Sequence, residues 1–305
     1  WKGSEADAST RAKSTLAHGK GADASARAKS TLAHGRGALI LNGHVDVVSA
    51  GSAALWSVPP WSGEIRAGRL YGRGSCDMKA GLAAGIFAVQ VLQRLGFQPA
   101  HDVLVESVVG EESGGAGTLA TIVKGYTADA CVVLEPTLLR ICPLQSGALT
   151  FRLTVPGKAT HAAMRQHGVS AIEKFALLLR AIQQFETERH AHFQNELYDE
   201  PRFAAPISIG TVRAGEWHST VAEKAVAEGR MGVFPGEDVG EARRALEAAL
   251  AQAASEDAWL SAHPPLVEWF EGQFESGATD PQHPLLQALS AAHEEVMGAA
   301  PAVRG

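Results

Sequence analysis

The sequence is poor in cysteine, in net positive charge and in long apolar runs, and each shortage removes a class of function. Three cysteines, Cys76, Cys131 and Cys142, make no CxxC spacing and cannot all pair. The three thiols fit a reducing compartment better than a disulfide framework and read as small buried hydrophobes. With 27 Lys plus Arg against 33 Asp plus Glu, the net charge of −6 leaves no electrostatic footprint for nucleic acid or an anionic membrane. No apolar run approaches the ~20 residues that span a bilayer, and no signal peptide is visible at the start, so a cytoplasmic protein is expected. Glycine is plentiful, but GEESGGAG lacks the Lys-Ser/Thr ending of a phosphate loop and no GxGxxG follows the first strand, which argues against a nucleotide-binding domain.

Residues 6–21 and 22–37 are a near-perfect tandem repeat, differing only at Thr10/Ala26 and Lys20/Arg36. Two short, alanine-dominated copies cannot stack a solenoid core, so residues 1–37 are expected to pack poorly. From Ala38 the pattern is α/β. Apolar runs at ALILNGHVDVV, DVLVESVVG and DACVVLEP read as strands, separated by helices at KAGLAAGIFAVQVLQRLG and TLATIVKGY. GEIRAGRLYGRG reads as a polar excursion between them. Strands alternating with helices of this length predict a parallel, helix-covered sheet. The pattern changes near Ser146 to a β-α-β-β-α-β order ending at PPLVEWF, which predicts an inserted ferredoxin-like α+β domain over 147–274. Residues 38–146 and 275–305, the latter with the helix HPLLQALSAAHEEVMG, would make up the first domain.

Chemistry concentrates in four short islands: His44 and Asp46 in LNGHVDVV, Asp77 in CDMKAG, Glu111 and Glu112 in VVGEESGG, and Glu135 in VVLEP. Three of them end predicted strands, where sites in open α/β sheets form. His44 and Asp46 leave an extended segment on one side, so the carboxylate can orient the imidazole by accepting its second N–H. Asp77 can bridge two cations while Glu112 and Glu135 each cap one. Those carboxylates plus an ionised water carry about −4, which two divalent ions neutralise and one does not. Glu111, left outside the metal shell, is the candidate general base.

Taken in order, GHVDVV, the stretch ending GRLYGRG, CDMKAG, GEESGG and LEP resemble the M20 family of dinuclear zinc peptidases and deacylases, within it the acetylornithine deacetylase and succinyl-diaminopimelate desuccinylase group. The resemblance covers residues 38–305. It implies a zinc-exopeptidase-like catalytic domain holding two zinc ions, with cobalt or manganese as substitutes. His44, Asp77 and Glu135 would hold one ion, and Asp77 would bridge to a second on Glu112. Asp46 would orient the histidine and Glu111 act as base in hydrolysing the amide of an N-acyl amino acid or short peptide-like substrate. The inserted domain would be a lid and homodimerisation domain. His161 in GKATHAA would reach the partner's site to stabilise the oxyanion, and Arg230 in AEGRMGV would grip a substrate carboxylate. The family's second zinc also uses a histidine near the C-terminus, which His263, His283 and His293 do not match. A catalytically impaired homologue with a partial metal site is the alternative expectation.

Overall fold

The computed structural model describes residues 37–305, so the expectation for the duplicated segment lies outside the described residues. The first elements are β1 (Leu39–His44), β2 (Glu64–Arg66), β3 (Arg69–Tyr71), α1 (Lys79–Arg94), β4 (Val103–Val108), α2 (Ala116–Val123) and β5 (Ala130–Val133). β4, β1 and β5 form a parallel sheet in that order, with β1 central. Parallel neighbours need crossovers, and α1 and α2 supply them. α1 approaches the sheet closely because it carries Gly81 and Gly85. A Cβ on Gly81 would stand 1.9 Å from the Leu134 carbonyl oxygen, and one on Gly85 2.7 Å from the Leu134 side chain. α1 stops at Arg94, and Gly96 beyond it takes φ +72°, a left-handed exit that glycine adopts without strain.

The supposed polar excursion is instead a hairpin. β2 and β3 pair antiparallel, and both Ala67 and Gly68 at the turn have positive φ, 50° and 74°. That turn matches the right-handed twist of the strands it joins, and the charged residues around it conceal the short strands from a hydrophobicity reading.

The chain continues through β6 (Leu144–Gln145), β7 (Gly147–Pro156), α3 (Ala171–His192), β8 (Ile207–Ala214), β9 (Lys224–Val233), α4 (Val239–Ser255), α5 (Ala258–Ala262), β10 (Leu266–Phe274), β11 (Gly277–Ala278) and α6 (Pro284–Met297). β10, β7, β9 and β8 form an antiparallel sheet in that order, the arrangement of a ferredoxin-like sandwich. Alternate residues of β7, Leu149, Phe151, Leu153 and Val155, are fully buried, and they pack with Phe175, Leu178 and Ile182 of α3 and Leu246 and Leu250 of α4. Period-two burial on the strand meets period-3.6 burial on the helices. Ser170 and Asp238 cap α3 and α4 by accepting the backbone N–H of Glu173 and Glu241, which settles where those helices begin. The short α5, capped by Asp257, has no counterpart in the sequence reading.

Two chain crossings join the sheets, and there β6 pairs with β11. All three cysteines are exposed, not the buried hydrophobes expected. No helix among the described residues is long and apolar enough to cross a membrane.

Candidate metal centre

The parallel sheet brings the four islands to one end. His44 is the last residue of β1; Glu111 and Glu112 follow the end of β4, and Glu135 follows β5 by two residues. Parallel strands in register deliver these positions side by side: His44 pairs with Val108, and the Leu134 N–H donates to the Asn42 carbonyl. Asp77 arrives from the turn before α1, and the glycines of α1 that touch Leu134 bring that turn beside the β5 end. The Asp77–Met78 peptide is cis, and Met78 is buried beneath Gly43 of β1.

At the centre is the His44 ring, 1% exposed. Its Nε2 lies 3.1 Å from Asp77 Oδ1, 3.6 Å from Glu135 Oε1 and 3.8 Å from Glu111 Oε2. Its Nδ1 lies 2.9 Å from the Asp46 backbone carbonyl and 3.5 Å from the Asp46 carboxylate. A carbonyl only accepts, so Nδ1 carries a proton; without metal a protonated Nε2 can donate to Asp77, and on metal binding that nitrogen would give up its proton and offer its lone pair.

Asp46 meets the ring through two groups, its backbone carbonyl more closely than its carboxylate. Its backbone oxygen orients the ring, while its carboxylate accepts the Glu111 N–H at 3.4 Å and the Glu112 N–H at 3.2 Å. The side chain thus holds the loop that carries both glutamates. Only the location of Asp46 is visible in HxD; which of its oxygens meets the ring is not.

Two overlapping sets place a donor atom from each residue within 4.8 Å of one another: His44, Asp77 and Glu112, and His44, Glu111 and Glu135. Glu111 therefore stands as near the imidazole as Glu135 does, and proximity alone does not set it outside a metal shell. The only ion-pair partner of these carboxylates among the described residues is the His44 ring. Burial first, then the Asp77 charge, pushes the Glu135 carboxyl up to about 7. Burial also raises Glu111, with the neighbouring acids adding to it against the opposing His44. Crowded carboxylates with no lysine or arginine ion-pair partner among the described residues, grouped around one histidine, suit one or two divalent cations.

The remaining predicted residues lie elsewhere. His161 is exposed in the loop between β7 and α3, where its Nδ1 accepts the Ala163 N–H and its backbone bridges Thr220. Arg230 is exposed on β9, in register with Thr150 on β7 and Ser208 on β8. Neither touches the cluster through a hydrogen bond or ion pair within this chain. His263 stacks on Trp259, His283 caps α6 and His293 bonds the Ala299 carbonyl, so all three stay outside the cluster. One supporting pair escaped the sequence reading: the buried Asn42 donates to Glu106 across β1 and β4 at 2.8 Å. A glutamate inside the apolar run VLVESVV was its signal.

Comparison with known proteins places these features in context. The profile of peptidase family M20/M25/M40 matches residues 40–304. An N-formyl-4-amino-5-aminomethyl-2-methylpyrimidine deformylase from Halalkalibacterium halodurans is 34% identical over 242 residues, which cover 76% of this chain and 56% of the relative. A succinyl-diaminopimelate desuccinylase from Rhodospirillum centenum is 45% identical over 133 residues, 40% of this chain and 34% of the relative. The chain thus spans little more than half the length of the deformylase. Among solved structures, a di-peptidase from Saccharomyces cerevisiae superposes with a TM-score of 0.67 at 16% identity, covering 93% of this chain and 69% of its own. Human carnosine dipeptidase 1 gives 0.65 at 15% identity, covering 88% and 68%. At such identities these two establish the fold alone.

Proposed function

Because the chain belongs to peptidase family M20/M25/M40, we propose that it hydrolyses the amide bond of a small N-acylated amine with the help of divalent metal, zinc by preference. The observation that carries this reading is the convergence of Asp77, Glu111 and Glu135 on the Nε2 side of a buried His44, with no lysine or arginine ion-pair partner among the described residues. His44, Asp77, Glu112 and Glu135 would hold the metal. When bound, it supplies Lewis acidity that polarises the amide carbonyl and makes water a nucleophile near neutral pH.

The chain's own residues do the rest. Asp46 fixes the His44 tautomer through its carbonyl and the Glu111–Glu112 backbone through its carboxylate. Glu111 takes a proton from water as its oxygen adds to the amide carbon, and returns it to the nitrogen as the C–N bond breaks. A carboxylate and a free amine leave. Arg230 would grip an anionic group on the substrate, as its forked guanidinium favours. His161 would donate to the oxyanion from a partner subunit's site. The β7–β10 layer would then be both lid and dimer contact. The edge position of β8 supports that contact, with a mixed groove beside it that sets Phe175, Leu179, Ile182, Ile207 and Ile209 next to Gln183, Glu186 and Ser208.

Three acyl classes make up the substrate panel. The deformylase relatives favour an N-formyl aminomethylpyrimidine; the desuccinylases favour an N-succinyl amino acid, and N-acetyl amino acids complete the panel. Purified protein loaded with zinc, cobalt or manganese should release amine from at least one of these and lose that activity on chelation. Glu111→Gln should lower kcat by at least about 100-fold, the usual contribution of a positioned acid–base group. Undiminished turnover in that variant would remove Glu111 from its role, and no release from any member would overturn the activity.

A further inference from the structure

The loop that carries Glu111 and Glu112 is held from two sides, and the second side belongs to the other sheet. On the near side the Asp46 carboxylate accepts both glutamate N–H groups. On the far side the loop closes with Gly114 N–H to the Glu111 carbonyl at 3.1 Å and Gly115 N–H to the Gly110 carbonyl at 2.8 Å. Gly110, Gly114 and Gly115 all take positive φ there. A Cβ on Gly114 would stand 3.6 Å from the Gly272 Cα, and one on Gly115 3.5 Å from Cε1 of Phe274. Gly272 and Phe274 are residues of β10. The outer end of the glutamate loop thus rests on β10, which lies in the antiparallel sheet.

β10 is distorted at this place. Trp269 pairs with Phe151 and Gln273 with Leu149, so three residues of β10 stand opposite the single Thr150 of β7. Glu271, in the middle, has φ +49°, a strained value for a residue with a Cβ. The Gln273 side chain fastens the bulge: its Nε2 faces the carbonyls of Phe270, Gly272 and Thr150 at 2.8, 2.9 and 3.1 Å. Its Oε1 accepts from Arg243 of α4 at 2.6 Å. The Phe274 ring folds back over Gly272, since a Cβ on Gly272 would meet it at 2.8 Å. Bulges of this kind bend a strand and re-aim what it presents. This one turns Gly272 and the Phe274 ring toward the glutamate loop, one residue before the chain crosses between sheets.

We infer that Phe274, seated by the Gln273-fastened bulge, is a positioning residue that holds the Glu111–Glu112 loop in its competent place and couples it to the orientation of the antiparallel sheet. The inference deepens the metal-site reading above and rests on it for its functional consequence. Its structural content is separate: removing the ring should loosen the loop whether or not metal binds there. Gly114 and Gly115 offer the loop no side chains of their own at this contact, so the aromatic face supplies the packing that they lack.

The test compares wild type with Phe274→Ala, Phe274→Leu and Gln273→Leu in the full chain. Amide hydrogen exchange is read over residues 110–117 in metal-free protein, with exchange in β7 as the internal reference. Phe274→Ala should speed exchange at Glu111 and Glu112 by about tenfold or more, as local opening does when its packing is lost, with β7 unchanged. Phe274→Leu should recover part of the protection. Zinc titration by calorimetry should then show weaker binding in Phe274→Ala, and kcat on the substrate identified above should fall with little change in KM. Unchanged exchange at residues 110–117 in a folded Phe274→Ala or Phe274→Leu protein overturns the inference. Faster exchange together with no zinc binding in wild type upholds the positioning role and overturns the metal reading instead.

Discussion

Protonation at His44, Glu135 and Glu111 pulls the metal-free protein in one direction. For His44, burial works against the charged ring, but the Asp46 carbonyl, the charges of Glu111 and Glu135 and the hydrogen bond to Asp77 outweigh it and raise its pKa. Stability from a raised histidine is complete below its ordinary value and is lost as pH rises through the folded one. Glu135, pushed up to about 7, and Glu111, also raised, are carboxyls whose ionised form the fold disfavours. Their cost is absent at low pH and grows as pH climbs past the ordinary carboxylate range. All three therefore make the metal-free fold more stable near pH 5.5 than near pH 8. Thermal melts in a chelator should show a melting temperature that falls over this interval, and saturating zinc should flatten the trend by supplying the missing positive charge. A chelated protein equally stable at both pH values would mean that these carboxylates do not share one site. At this scale the sequence was informative about which residues meet, because strand ends in a parallel sheet must converge. It was silent on which atoms meet: the Asp46 carbonyl lies closer to His44 Nδ1 than the Asp46 carboxylate does, and no spacing rule separates two acceptors on one residue.

Between elements, the contact that sets the geometry of the site is that of α1 on Leu134, just beyond β5, and Gly81 is its narrowest point. A methyl there would fall 1.9 Å from the Leu134 carbonyl oxygen, a rigid backbone atom in the residue before Glu135. Gly81→Ala gains helix propensity, which is worth up to about 1 kcal/mol, but forces α1 off the sheet. Overpacking of this sort costs about 1–3 kcal/mol, and here it also displaces Asp77 from Glu135. The expected outcome is a lower urea midpoint together with weakened zinc binding, the second effect exceeding what a comparable lesion remote from the site produces. Leu178→Ala, in the core between α3 and β7, is the control: it should cost about 2–5 kcal/mol while leaving zinc affinity intact. The long elements were legible because α3, α4 and β7 bury one face each and carry polar residues on the other. The β2–β3 hairpin and α5 were not, being three to five residues long and fixed by turn geometry or by the Asp257 cap. Nor was the β10 bulge, whose course depends on a side-chain amide reaching three carbonyls.

For the whole molecule, the position of His161 poses a problem for its proposed role that a second copy would solve. The residue lies on a loop of the β7–β10 layer, bridged to Thr220 and without a contact to the carboxylate cluster of its own chain. An oxyanion donor must stand within about 3 Å of the reacting oxygen, so a histidine that serves catalysis from this loop has to reach a cluster by another route. Pairing two β8 edges would continue the antiparallel sheet across a two-fold axis, cover the groove beside α3, and present each His161 to the other subunit. Ile209→Asp, at that edge, should give a monomer by analytical ultracentrifugation with the zinc site intact and hydrolysis lost. Mixing inactive variants then separates an interface that only stabilises from one that shares a site. Glu111→Gln and His161→Ala chains, combined in equal amounts and allowed to exchange, form mixed dimers in half of all pairings. Each mixed dimer contains one site with both groups present, so activity should return to about a quarter of wild type by two-fold symmetry. If His161 acted within its own chain, every site in the mixed dimer would lack one group or match its parent, and mixing would add nothing beyond the average of the two variants.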